Sequence, residues 1–82
     1  MEYDIQYLPE AAAALQRMSP DVAQRVVSKI GALRNDLAGN VKRLHHFVPN
    51  YRLRVGDWRV LFELRGRTVV IHQVLHRSKA YE

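Results

Sequence analysis

The chain has 82 residues, with 13 Lys and Arg against 8 Asp and Glu, and no cysteine. That length allows one domain with a small core, burying about 60–65% of its unfolded surface, and the missing thiols exclude both a disulfide framework and a cysteine zinc site. The formal charge of +5 resides in the second half, where residues 41–82 hold nine cationic side chains against three acidic, whereas residues 1–40 hold four against five, an asymmetry that suits a polyanionic partner.

Tyr3-Asp4-Ile5-Gln6-Tyr7 alternates with period two and predicts a first strand. Pro9 suits the first turn of a helix, and Glu10 through Leu15, rich in alanine, extends it to about Met18. Ser19-Pro20 ends that helix and opens the next, with Ser19 as N-cap, Pro20 at the first helical position and Asp21 near the positive end of the dipole. Val22, Val26, Ile30, Leu33 and Leu37 then recur at helical spacing and predict an apolar stripe that runs to a stop at Ala38-Gly39-Asn40. Residues from Val41 to Asn50 read as a loop carrying Lys42, Arg43, His45 and His46.

From Tyr51 to Val55 the residues alternate again, and Gly56-Asp57 reads as a two-residue hairpin turn. That turn sets Val55 opposite Trp58, Arg54 opposite Arg59 and Leu53 opposite Val60. Like charges directly opposite are destabilising by roughly 0.2–1 kcal/mol, and an anion between them removes the objection. A second short turn at Gly66-Arg67, if two residues long, places Val74 opposite Arg59 and puts His72 and His76 on the face of Arg52, Arg54 and Arg59, whereas one more residue in that turn would move both histidines to the buried side. The other face holds Leu53, Val55, Val60, Phe62, Val69 and Ile71, an apolar layer that the helices must cover. The fold class is therefore α+β: strand, helix, helix, then a three-strand antiparallel meander, with both helices on one face of the sheet and the basic face open.

Blander readings apply to several of these residues. Arg52 and Arg54 also fit the wet face of an ordinary antiparallel strand, and Arg65 and Arg67 flank a turn as solvated charge. His45 and His46 fit the surface; a metal site joining them to His72 or His76 has no acidic or cysteine ligand beside it in sequence, and no metal or cofactor is predicted. Trp58 and Tyr51 fit core or rim packing, while Tyr81 is a candidate to stack on a base. A reducing cytoplasm is the expected compartment, and the absence of an apolar run of about 18 residues or a basic-then-apolar leader predicts no membrane partner.

The block YRLRVGDWRVLFEL, the closing hydrophobic strand followed by H-R-x-x-x-Y, and the order of elements together resemble the RelE/ParE superfamily of bacterial and archaeal toxins, and its RelE branch most. The resemblance spans essentially the whole chain, 1–82, as one RelE-like domain. It implies a metal-independent endoribonuclease that cuts messenger RNA, typically in the ribosomal decoding site, and thereby inhibits translation. It also implies a cognate antitoxin that neutralises the toxin, the two forming a higher-order oligomer. The implied chemistry is attack of a ribose 2′-hydroxyl on the adjacent phosphate.

By position, Arg52 and Arg54 match the family's paired strand cations, Arg59 its transition-state arginine, and Arg77 with Tyr81 its C-terminal pair; His76 is a further candidate for proton transfer, and Lys42 and Arg43 for RNA binding. Some relatives carry lysine where this chain has Arg52 and Arg54, and arginine cannot serve as a base, so the base is left open between His76 and Tyr81. Leu75 stands where many relatives have glycine, and no C-terminal helix is expected after Glu82. The rival implied by the same superfamily is a ParE-like toxin that poisons DNA gyrase without cutting RNA.

Overall fold

Period-two alternation at the start of the chain and between Tyr51 and His76 is realised as strands, which a computed structural model describes within residues 2–35, 37, 41–45 and 49–79. In chain order these are β1 (Asp4–Tyr7), β2 (Val41–Arg43), β3 (Tyr51–Val55), β4 (Trp58–Arg65) and β5 (Thr68–His76). They form one mixed sheet in the order β1-β5-β4-β3-β2. β1 lies parallel to β5, with Ile5 beside Val69 and Tyr7 beside Ile71, and the other pairings are antiparallel.

Two helices separate β1 from the rest. α1 (Pro9–Gln16) starts on Pro9 without a side-chain cap, and its fully buried Ala11 lets the helix approach the sheet closely. α2 (Pro20–Gly31) begins after an extended Ser19, which holds the N-cap position but makes no side-chain capping bond. Val26 and Ile30 are fully buried on its inner side. The helix ends at Gly31, earlier than the apolar stripe suggests, and tightens into a 3-10 turn over Ala32–Arg34. Glycine is a poor helix former, and the Arg34 carbonyl is taken by the Tyr3 N–H at 2.8 Å, so it is committed to the strand region rather than to another helical turn. Leu33 is nevertheless buried, and Leu37 packs against the core. The expected stop at Ala38-Gly39-Asn40 lies outside the described residues.

The helices cover one face of the sheet. Ala11, Val26, Ile30 and Leu33 meet Leu53, Val55, Val60, Phe62, Val69, Ile71 and Val74 in a single cluster. Phe62 is the largest fully buried side chain, and its ring stacks on Tyr51 with centroids 5.4 Å apart. No helix among the described residues is long and apolar enough to cross a membrane.

Three features of the sheet depart from the sequence expectation. β2 is a strand where a loop is expected, because three residues are too few to show alternation. The ladder between β4 and β5 also shifts: Phe62 faces Ile71 but Leu61 faces Gln73, leaving His72 as the extra residue of a β-bulge. One inserted residue reverses the parity of everything beyond it. Arg59 therefore faces Leu75 instead of Val74, and His76 faces Trp58 on the helix side instead of joining the arginines. Lastly, the arginine face is not uniformly wet, since Leu61 (9% exposed) and Val70 (0%) are buried there, opposite Arg52 and Glu63.

Candidate functional site

Gly56 adopts φ +58°, the left-handed value that primed two-residue turns demand, and this holds β3 and β4 in the expected register with Arg54 directly opposite Arg59. The Arg59 guanidinium folds over the turn it follows: Nη1 donates to the carbonyls of Gly56 at 2.8 Å and Trp58 at 3.0 Å. Two of its five donors are thereby fixed on backbone, and the Nε and Nη2 N–H groups form the side-on fork that matches two oxygens of a phosphate. Arg77 reaches the same turn from the end of β5, its backbone N–H donating to the Asp57 carbonyl at 2.7 Å and its Nε lying 3.8 Å from Asp57 Oδ1. Arg54 and Arg59, which flank the turn, are thus joined at one tight bend by Arg77 from the end of β5.

A Cβ added at Gly56 meets nothing within 4 Å, so the cost of replacing it is the backbone conformation alone. Gly56→Ala is expected to lower stability by about 1–2 kcal/mol, read as a fall in melting temperature of roughly 5–15 °C. An unchanged melting curve would show that the bend does not depend on that conformation.

A second pair of like charges sits one row along the same face. Lys42 on β2 faces Arg52 on β3, and Arg52 and Arg54, two apart on one strand, share a face. Lys42, Arg52, Arg54 and Arg59 thus form one continuous cationic patch across three strands. Sequence reasoning names Lys42 but misses this partnership, which depends on the short β2. Arg43 faces Tyr51 and so belongs to the other side of the sheet. Tyr81 lies outside the described residues, as does His46.

His76 stands at the end of β5 with its ring edge-on to Trp58, the centroids 5.4 Å apart. The Ser78 backbone N–H donates to His76 Nδ1 at 3.3 Å, and Ser78 Oγ lies 3.0 Å from the same atom. An Nδ1 that accepts from the backbone places the proton of a neutral ring on Nε2. Among the described residues no group of three or more His, Cys, Asp or Glu is placed to hold a metal ion.

Farther along the arginine face, Glu63 Oε1 is bound by His72 Nε2 at 2.8 Å and by Arg65 Nη2 at 2.7 Å. The hydrogen bond from His72, and then the Arg65 charge, hold the Glu63 carboxyl below its ordinary 4.5 against the opposing effect of burial. A carboxyl depressed in the folded state adds stability that is present above its unfolded value and lost as the pH falls through the folded one. Wild type is therefore expected to lose melting temperature more steeply than Glu63→Gln below about pH 4.5. Parallel melting curves for the two proteins from pH 5 to pH 2 would contradict this.

Comparison with known proteins bears on the whole arrangement. Residues 5–81 match the family described as the ParE toxin of the type II toxin-antitoxin system parDE. Toxin RelE3 of Methanocaldococcus jannaschii is 38% identical over 48 residues, a match covering 58% of this chain and 54% of that protein, so the chain spans about half the length of this relative. The toxin-antitoxin complex RelBE2 of Mycobacterium tuberculosis contains a chain that superposes with a TM-score of 0.82 at 26% identity, covering 94% of this chain and all of that one (100%). The archaeal RelE-RelB complex of Pyrococcus horikoshii gives a TM-score of 0.79 at 21% identity over 98% of this chain and 100% of its counterpart, a likeness of fold.

Proposed function

Because the chain belongs to the ParE toxin family of type II toxin-antitoxin systems, within the RelE/ParE superfamily, we propose that it is an endoribonuclease that cuts messenger RNA on the ribosome and so arrests translation. The observation that carries this reading is the Arg54–Arg59 facing pair, extended by Lys42 and Arg52 into a patch of cations on one sheet face. A sheet selected for stability alone has little reason to set Arg54 against Arg59, whereas a phosphodiester backbone neutralises that pair.

In this reading the scissile phosphate lies over the hairpin end of the sheet. A 2′-hydroxyl attack places extra negative charge on the phosphoryl oxygens, and preorganised donors aimed there lower the barrier. Arg59 is suited to that role because its anchored Nη1 fixes the guanidinium before substrate arrives. Arg54 and Arg77 add charge from either side, while Lys42 and Arg52 hold the neighbouring backbone. As the imidazolium, His76 is the candidate to give a proton to the departing 5′-oxygen, which returns its ring to the neutral form, and Tyr81 is the remaining candidate for the 2′-hydroxyl proton. Such a mechanism uses no metal ion or cofactor.

Mapping 5′ ends of transcripts after induction tests the reading. New ends in phase with codons are the expected result, and intact messages with growth arrested would overturn it. The family that matches is described as ParE, which favours one rival, a toxin that poisons DNA gyrase; DNA damage with intact messages is its signature. An acidic, partly disordered antitoxin that folds over the cationic face is the proposed partner, as the complexes formed by RelBE2 and by the archaeal RelE suggest. Co-purification with the product of an adjoining reading frame tests it, and recovery of the toxin alone from cells making both would count against it.

A further inference from the structure

Beside His76, on the helix side of the sheet, lies a groove of about 460 Å³ that the phosphate site leaves unused. Its walls are Met18, Val22, Trp58, Val74 and Leu75, and its rim carries Arg17 and Lys79. The volume falls within the range typical of small-ligand sites, and the combination of apolar walls with a few polar groups is their usual composition. Trp58 supplies an aromatic surface of the kind on which bases stack, and His76 borders both this groove and the hairpin end where Arg59 and Arg77 converge.

We infer that this groove is a nucleobase pocket, receiving the base of a nucleotide next to the phosphate held by the arginines, so that the RNA strand turns over the end of the sheet. The inference rests on the reading of the protein as an RNA-cutting toxin. Three features of the groove favour a nucleotide over a peptide. The rim charges are cations, suited to the phosphates on either side of a base. The apolar walls lie between them, where the flat base would sit. The groove is also continuous with the proposed phosphate site through His76, and a strand bound on the arginine face needs only to bend around the Gly56 turn to enter it.

Trp58 is the one tryptophan of the chain, so its emission reports on the groove and on the His76 ring against it. Titrating the purified protein with a 2′-O-methyl trinucleotide, which cannot be cut by 2′-hydroxyl attack, is expected to change that emission saturably. The same trinucleotide made abasic at one of its three positions should bind about five- to a hundredfold more weakly and leave the emission unchanged, the range expected for loss of one stacked base. Met18→Glu should weaken the intact probe tenfold or more, read beside its melting curve because Met18 also packs against the core. Should that variant unfold, the abasic comparison in wild type still decides.

Equal binding of intact and abasic probes, or a silent Trp58 with transcripts still cut in cells, would overturn the pocket and leave the proposed function standing. A base-dependent emission change with no new transcript ends would uphold the pocket and overturn the proposed reaction instead. An emission change produced by an acidic amphipathic peptide and not by the trinucleotide would assign the groove to a protein partner, against the inference.

Discussion

Arg59→Ala is expected to reduce messenger cleavage by roughly a hundred- to a thousandfold, the loss typical of removing one preorganised donor from a developing oxyanion, and to abolish growth arrest. The side chain also holds the carbonyls of Gly56 and Trp58, so the fold has to be monitored separately. Losing those partly exposed bonds costs about 1 kcal/mol, while removing one member of the Arg54–Arg59 pair relieves repulsion of about 0.2–1 kcal/mol. The two effects oppose each other, and the melting temperature should stay within about 5 °C of wild type. Arg59→Lys separates charge from geometry: a point charge without the fork should remain badly impaired. Undiminished growth arrest by Arg59→Ala at equal expression would remove this residue from the reaction.

Phe62→Ala should have the largest effect on stability. Phe62 is fully buried at the centre of the apolar layer and stacks on Tyr51, so truncation both empties a volume and deprives a second ring of its partner. A loss of about 3–5 kcal/mol is expected, which lowers the melting temperature by roughly 12–40 °C in a domain of this size. Total stability for such domains is only about 5–15 kcal/mol, so much of the protein would be unfolded at growth temperature. Phe62 also sits where the ladder changes register, and its loss should loosen the hairpin end that carries His76. A melting temperature within a few degrees of wild type would mean that the layer is not packed as described.

Strand alternation from Tyr51 to Val55, the two glycine turns and the six apolar residues of the inner face were all legible in the chain, because period and turn chemistry are local properties. Arg54 opposite Arg59 follows from them, since a two-residue loop leaves only one register. The apolar stripe of α2 was legible too, although its end was not: the helix stops where a carbonyl finds a partner in the strand region, an event between distant residues. β2 escaped detection for the same reason, as three residues become a strand only by having β3 beside them.

By itself, then, the chain determined the fold class, the layer the helices cover and the pairing of arginines across the first hairpin. Only the tertiary structure decided that His72 bulges out of β5, that His76 turns toward Trp58 and the groove, and that Lys42 completes the cationic patch. The division has a physical basis. Local sequence sets the period of a strand and the handedness of a turn, but the side to which a residue points beyond a bulge depends on how two strands are pressed together by the core beneath them.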